Sequence, residues 1–461
     1  MSPKKHVVFI VPDGVGIKNY LYSDLLKHLD TFAKVTIWSP LPESAFKEVK
    51  LLNKIEFNYK KLTLHSESIV TRLLRESASF ARLNYNAKKT QNETIILNWR
   101  RPRGNFKLGL LYRVAETIGS WAKSNYNRIL SLERRSKQNW SSTIIESYKT
   151  DLKALKADSI FITHQRVTGL MPICLAAKAL NIKSITAIFS WDNLPKARLC
   201  VATDYYILWS DWMKRDMDLF YPEIKQEQLK IAGTPQFEFY TQNHRVTDRA
   251  TFAKRYGLNP ESKWLCFSGD DEYTSPYDPA YLNDIAEAIA TIDEPVQLIF
   301  RRCPVDFTNR YDAVLETYKD IIISIDPIWH TDAKAWVGYF SKLEDVDLQV
   351  NLANHCDAVI NLGSTMALDF ATFNKPCLYL NYDTVKDDNW STEFIYKFHH
   401  FKSMEGLNAV GWLNSKSEIK ATILAVLEAD STVGSDRKLW LENLVLCPLE
   451  ANANLIANTL H

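Results

Sequence analysis

Residues 357–380 read DAVINLGSTMALDFATFNKPCLYL. An apolar run ends at Asn361, and a second begins at Cys377. Gly363, Ser364 and Thr365 lie between them and open a helix that carries Asp369 one turn in. Strand, glycine-bearing loop, helix, strand is the unit from which helix-wound parallel sheets are built. A helix start presents unpaired N–H groups and a partial positive charge. Gly363 permits close backbone approach. The Ser364 and Thr365 hydroxyls can cap the helix or meet a phosphate. Asp369 is four residues after Thr365, hence on the same face. A carboxylate there repels phosphate but accepts from a vicinal diol such as a ribose. Phosphate at the tip with a sugar one turn in describes a nucleotide. An ordinary N-cap followed by an Asp that satisfies the helix dipole fits the same residues, and the stretch alone does not separate the two.

The same alternation extends in both directions. HVVFIVP reads as a buried first strand, NYLYSDLLKHLDTF as a helix with Leu21, Leu25, Leu26 and Leu29 in register, and KVTIWSP as the next strand. The lysines before HVVFIVP superficially resemble the start of a signal peptide, but the apolar run is too short for one. Residues 66–150 are helix-rich. Alternation then resumes with SIFITHQR, KSITAIFSWDN, YYILWSDW and QLKIAGTPQF. A second series runs from KWLCFSGDD through VQLIFRRCP, DIIISIDP and LQVNLANHC to DAVINLGST and PCLYLNYD. The expected fold is α/β, with two Rossmann-like doubly wound domains facing across a cleft. The first covers 1–245, with a helical insertion near 66–150. The second covers 246–445, and a C-terminal helix at 446–461 packs back on the first. A chain of 461 residues is too long for one core. In such sheets ligands sit beyond the carboxyl ends of the strands.

Bulk properties exclude several classes. A net charge of +2 gives no general attraction for nucleic acid. Seven cysteines are scattered singly, without CxxC or metal spacing, so a reducing, cytoplasmic compartment is expected. No run of 18 apolar residues predicts a transmembrane helix. There is no P-loop, no GxGxxG and no GxSxG elbow. EDVD at 344–347 and DMD at 216–218 imitate a metal-binding DxD, but their polar, helix-like settings read as solvated faces. No metal and no cofactor are expected.

Four further strand ends carry candidate chemistry. In LIFRRCP, Arg301 and Arg302 point to opposite faces of a strand. A guanidinium can hold a diphosphate bidentately, and Arg302 is taken as that partner; strand-end surface charge is the plain alternative. In FSGDDEY, Ser268 and Gly269 can turn backbone amides toward a pyrophosphate, while Asp270, Asp271 and Glu272 can instead invite a cation. In SWDNL, Asp192 can orient an acceptor or act as a base, while Trp191 and Asn193 can simply pack and turn. In THQR, His164 is a candidate general base near neutral pH, although a lone histidine is often structural.

DAVINLGSTMALDFATFNKPCLYLNYD, SWDNL (190–194), GTPQF (233–237) and Arg302-Cys303-Pro304 together resemble GT-B-fold glycosyltransferases, and among these the bacterial surface-polysaccharide transferases. The resemblance spans about 155–385 well and 1–40 loosely. It implies transfer of a sugar from a nucleotide-sugar donor to a glycan or lipid-linked acceptor. Donor-binding residues are then Thr234, Ser268, Gly269, Arg302, Gly363, Ser364, Thr365 and Asp369. The catalytic candidates are Asp13, His164 and Asp192, with Asp13 placed only by its position in the first strand–helix loop. Related families often carry His where this chain has Cys303, which leaves Arg302 as the phosphate partner. A nucleotide-activated polyol-phosphate transferase and a nucleotide-sugar 2-epimerase share the fold; the missing histidine counts against the first. A non-catalytic glycan- or nucleotide-binding subunit is the reading from a different class.

Residues 99–137 hold Trp99 and ten basic residues, among them Arg100, Arg101, Arg103, Lys107 and Arg113, against only Glu116 and Glu133. Leu108, Leu111, Tyr112, Ala115, Gly119, Ala122, Tyr126 and Ile129 recur at helical spacing. A basic amphipathic helix can lie on an anionic membrane or be the solvated face of a domain helix. The first reading puts the protein at the inner face of the cytoplasmic membrane.

Overall fold

The computed structural model describes residues 4–102, 104–331 and 338–461; Arg103 of the basic stretch lies outside the described residues. Internal contacts divide the chain into two units. Unit 1 comprises Met1–Pro235, Phe398–His400 and Leu444–His461, and unit 2 comprises Gln236–Lys397 and Phe401–Asn443.

Unit 1 is built on strands β1 (Lys5–Ile10), β2 (Ala33–Ser39), β3 (Asn58–Lys61), β4 (Ser159–Ile162), β5 (Lys183–Ala187), β6 (Tyr205–Leu208) and β7 (Leu229–Ile231). They form one sheet in the order β3-β2-β1-β4-β5-β6-β7, and every recorded pairing is parallel. Parallel strands covered on both faces need unbroken apolar runs, which is why β1 reads VVFI and β4 reads IFI. The order reverses between β1 and β4. Val8, Ile10, Ile160 and Ile162 from these strands pack with Tyr148, Leu152, Ile173 and Ala177 of the flanking helices Ser142–Leu155 and Met171–Ala179.

Helices Ile69–Thr90, Phe106–Ala122 and Tyr126–Gln138 occupy the helix-rich stretch. Ser68 caps the first by accepting from Thr71 N at 3.1 Å, and Asn105 caps the second by accepting from Leu108 N at 3.1 Å. They meet over Ala78, Ala81, Ala122, Ile129 and Leu132. Arg82 is fully buried among them and forks onto Glu133 at 2.5 and 2.7 Å, with Glu223 at 2.8 Å. A charge this deep is tolerated because every arm of the guanidinium finds an acceptor or a carboxylate.

Unit 2 contains β8 (Lys263–Ser268), β9 (Val296–Arg301), β10 (Ile322–Ser324), β13 (Ala358–Asn361), β14 (Cys377–Leu380) and β15 (Gly411–Leu413). Their order is β10-β9-β8-β13-β14-β15, again with every recorded pairing parallel. A small antiparallel pair, β11 (Trp329–His330) and β12 (Phe340–Ser341), stands apart. The order reverses between β8 and β13. Phe267, Phe300, Ile360 and Leu380 from the sheet pack with Tyr281, Ile285 and Ile423 from the helices.

The DxD look-alikes are solvated only in part: Glu344 and Asp218 are exposed, but one aspartate of each motif is not. Asp345 and Asp216 are both buried. Asp345 accepts from Arg301 at 2.8 Å, from Ile328 N at 2.8 Å and from Trp329 Nε1 at 2.8 Å. Asp216 pairs with His399 Nε2 at 2.8 Å. Their partners are far away in sequence, so a polar neighbourhood could not reveal them. The run LQVNLANHC is the second half of helix Leu343–His355 and contributes no strand.

Candidate active site

In a doubly wound sheet the crevice lies where the strand order reverses. In unit 1 that point is the end of β1 and β4, where Ile10 pairs with Ile162. The chain leaves β1 into Asp13, which caps the short turn Gly14–Gly16 and accepts from Gly16 N at 3.4 Å. Gly16 lies directly against the end of β4. A Cβ there would sit 2.5 Å from Thr163 Oγ1, so only glycine allows the approach.

That close packing brings two of the expected catalytic residues together. Asp13 Oδ2 and His164 Nδ1 are 2.5 Å apart. The His164 ring stacks on Phe189, with centroids 4.4 Å apart at 22°. Buried Gln165 fixes this arrangement by accepting from Phe189 N at 3.0 Å and donating to Asn193 Oδ1 at 3.1 Å. An ionised carboxylate only accepts, so the proton of the neutral imidazole lies on Nδ1 and the lone pair on Nε2. His164 Nε2 is buried and meets no hydrogen-bonding partner among the described residues. A buried polar atom left bare in this way calls for a partner, which an ordered water, an ion or a reacting group can supply.

Asp192 follows β5 and sits differently. It accepts from Asn193 Nδ2 at 2.7 Å and from Lys196 Nζ. Burial pushes its pKa up, but the charges of Lys196 and His400, with hydrogen bonds from Lys196 and Ser190, carry it well below the usual carboxylate range. A carboxylate so depressed is a weak base. His400, set edge-on to Trp191 with centroids 4.6 Å apart, is lowered to about 4 by burial.

Unit 2 has its own reversal, where Ile360 of β13 pairs with Phe267 of β8. The carboxyl ends of both strands, with the loops and the helix that follow, hold six of the eight expected donor-binding residues: Ser268, Gly269, Gly363, Ser364, Thr365 and Asp369. Gly363 has φ +76°, and a Cβ on it would lie 2.6 Å from the Phe401 ring. Ser364 N donates to Asn361 Oδ1 at 2.8 Å, and Met366 N reaches Ser364 Oγ at 3.4 Å. The helix Met366–Thr372 is only seven residues long, with Thr365 as its N-cap. Phe401 and the side chains of Asn361 and Ser364 therefore occupy part of the mouth expected to receive phosphate.

Asp369 is buried, and Gln349 Nε2 donates to it at 2.7 Å. The Tyr240 hydroxyl, kept protonated by burial and by the charge of Asp369, bonds to the same carboxylate. The carboxylate expected to accept a diol is thus already engaged by two protein donors.

The loop after β8 also turns inward. Gly269 N donates to Arg301 O at 3.0 Å, and Asp270 N to Asp278 Oδ2 at 2.6 Å. The Gly269 amide expected at a pyrophosphate is thus bound within the fold, and so is the next amide along. Ser268 is buried at the strand end. Burial raises Asp278 to about 6. Asp270 is pushed upward by burial and by the neighbouring charges of Asp278 and Asp271.

Arg301 and Arg302 separate as strand alternation requires: Arg301 goes to buried Asp345, while Arg302 lies toward Tyr311. Arg302 Nη1 donates to Thr308 O at 2.6 Å, which uses one of the five N–H donors of the fork. Burial pushes the Cys303 thiol up to about 12, so it stays protonated and inert. Thr234 belongs to unit 1, where its carbonyl accepts from Asn452 Nδ2 at 3.4 Å.

Gln165, Phe189, Tyr240, Gln349 and Phe401 escaped the sequence reading because no local pattern marks them. For Gln165 and Phe189 the only available signal was proximity to a strand end. No cluster of three or more His, Cys, Asp or Glu side chains able to hold a metal occurs among the described residues. Nor does any described helix have the length and apolarity to cross a membrane.

No protein-family model matches the chain, and no curated protein matches its sequence. Solved structures do. UDP-GlcNAc 2-epimerase from Methanocaldococcus jannaschii superposes with a TM-score of 0.55 at 11% identity, covering 99% of both chains. A glycosyltransferase from Rickettsia africae gives 0.52 at 11% identity, covering 99% of this chain and 97% of that one. The wall teichoic acid polymerase TagF gives 0.51 at 11% identity, covering 100% and 89%. At such identities the likeness establishes the fold, which is of the GT-B type with two Rossmann-like domains.

Proposed function

We propose that the chain is a metal-independent glycosyltransferase of surface-polysaccharide or glycolipid synthesis. It moves a sugar from a nucleotide-sugar donor to a hydroxyl of a glycan or lipid-linked acceptor at the inner face of the cytoplasmic membrane. The observation that carries this reading is the Asp13–His164 pair with its bare Nε2. Nε2 takes the acceptor's proton as its oxygen attacks the anomeric carbon. The bond from that carbon to the diphosphate breaks, and its electron pair leaves with the nucleoside diphosphate. Asp13 holds the tautomer and stabilises the imidazolium that forms. Unit 2 carries the nucleotide, with Arg302 offering charge to the leaving diphosphate. Neighbours that bind this class of ligand support the donor class: one M. jannaschii 2-epimerase structure is a complex with UDP-GlcNAc and UDP.

The 2-epimerase reading is favoured by a separate observation, the number of 2-epimerases among the structural neighbours. One experiment separates the two. A thermal-shift screen against UDP-, GDP-, CMP-, CDP- and dTDP-sugars identifies the donor. That donor is then incubated with and without glycan or lipid-linked acceptors. Acceptor-dependent release of nucleoside diphosphate supports transfer. Acceptor-free conversion of the donor to its C2 epimer replaces it with epimerisation. No stabilisation by any nucleotide sugar overturns both.

A further inference from the structure

The helix Phe106–Ala122 carries two apolar stripes. One is buried: Ala115, Gly119 and Ala122 press it onto helix Ile69–Thr90. A Cβ on Gly119 would lie 2.8 Å from Phe80 and from Ser77 O, so the small residues set this contact. The other stripe faces solvent. Phe106 is 86% exposed, Leu110 54%, Val114 41% and Trp121 58%. At about 100° per residue, these four fall within an arc of about 80°, nearly opposite the buried stripe. At 1.5 Å per residue the ridge is about 22 Å long. The periodicity of the sequence points to the packed stripe; the outer one becomes visible only once the packed one is assigned.

The charge around the ridge is of one sign. Lys107 and Arg113 are exposed on either side of it. The Arg128 guanidinium lies 4.4 Å over the Trp121 ring. Glu116, the helix's acidic residue, is engaged by Arg101 at 2.5 Å and by Trp99 Nε1 at 2.8 Å. Water-facing helices do not align four large apolar side chains without a use for them. A protein pocket would cover the ridge with apolar atoms but gives no reason for a cationic margin on both sides. An anionic bilayer satisfies both features: acyl chains take the ridge and phosphates take the lysine and arginines.

We propose that this outer face of Phe106–Ala122 is a membrane-docking ridge. Phe106, Leu110, Val114 and Trp121 enter the headgroup–acyl boundary of an anionic leaflet, and Lys107, Arg113 and Arg128 contact lipid phosphates. This sharpens the membrane part of the transferase reading. Vesicle binding is measured without turnover, so either reading can fail while the other stands.

The test is co-sedimentation of the full chain with phosphatidylcholine vesicles containing or lacking phosphatidylglycerol, at low and high salt. The expected result is binding that needs phosphatidylglycerol and weakens with salt. Phe106→Ser combined with Trp121→Ser lowers that binding at least about tenfold. Lys107→Glu with Arg113→Glu lowers it comparably, while circular dichroism stays unchanged because all four side chains are exposed. Absent or lipid-independent binding overturns the proposal, as does binding that the serine pair leaves intact. A dimer in solution that the serine pair converts to a monomer also overturns it, and assigns the ridge to a second copy of the chain.

Discussion

The two reversal points of the molecule are built alike and finished differently. Both lie at the ends of central parallel strands, β1 and β4 in one unit and β8 and β13 in the other. In unit 1 the loops leave an imidazole nitrogen bare, backed by a carboxylate. In unit 2 the loops occupy much of their own polar capacity: Asn361 takes the Ser364 amide, Asp278 takes the Asp270 amide, and Gln349 with Tyr240 holds Asp369. One site leaves a polar atom open, and the other closes its polar groups on itself. A ligand entering unit 2 must therefore offer bonds as good as those it displaces, or use groups such as Arg302 that retain donors.

The largest effect expected on this contrast is catalytic. His164→Ala should lower kcat/KM about a thousandfold, about 4 kcal/mol of transition-state stabilisation, and leave donor affinity unchanged. Asp13→Asn should act in the same direction through the tautomer and ring orientation. Steady-state kinetics beside calorimetric donor binding checks both. Equal turnover in His164→Ala would make unit 1 as inert as its counterpart and erase the contrast.

Next comes acid sensitivity. His400 holds a folded-state pKa of about 4, against an ordinary value of about 6.5. As pH falls between those values the unfolded chain takes up a proton that the folded chain refuses, so stability is lost. The loss should reach up to about 3 kcal/mol. Asp192, whose folded pKa is depressed, extends the loss as pH falls below the ordinary carboxylate range. Urea midpoints measured across this window should slope less in His400→Gln than in the wild type. An identical slope would remove His400 from the account.

Gly363→Ala should cost about 2 kcal/mol, because it combines a positive φ with a clash against Phe401. Phe401→Leu should relieve part of that cost in the double variant, read by thermal melts as a coupling energy. Strict additivity would show that the ring does not close the mouth.

Asp369→Asn should have the smallest effect, about 1 kcal/mol of stability, since an amide keeps one acceptor for Gln349 or Tyr240. Should nucleotide affinity collapse while stability stays the same, Asp369 serves the ligand rather than the fold. The difference between the two reversal points would then shrink.

The candidate site was legible in places rather than in bonds. Gly363, Ser268 and His164 could be placed at strand ends because strand ends and turn residues are written locally. Arg302 was separated from Arg301 by strand alternation, and the two side chains do diverge. Asp345 and Asp216 were misread as solvated for the converse reason: their partners, Arg301 and His399, lie 44 and 183 residues away.

The sequence by itself determined the alternation of buried strands and helices, and with it both parallel sheets and the loops at their carboxyl ends. That follows because burial on two faces demands continuous apolar runs, and glycine or capping residues mark where they stop. Only the tertiary structure decided that Asp13 meets His164 across 151 residues of chain, that Asp369 is held by Gln349 and Tyr240, and that one helix turns a second apolar stripe outward. A hydrogen bond between distant residues leaves no period in the sequence; the packing of Gly16 on Thr163 brings Asp13 to its partner.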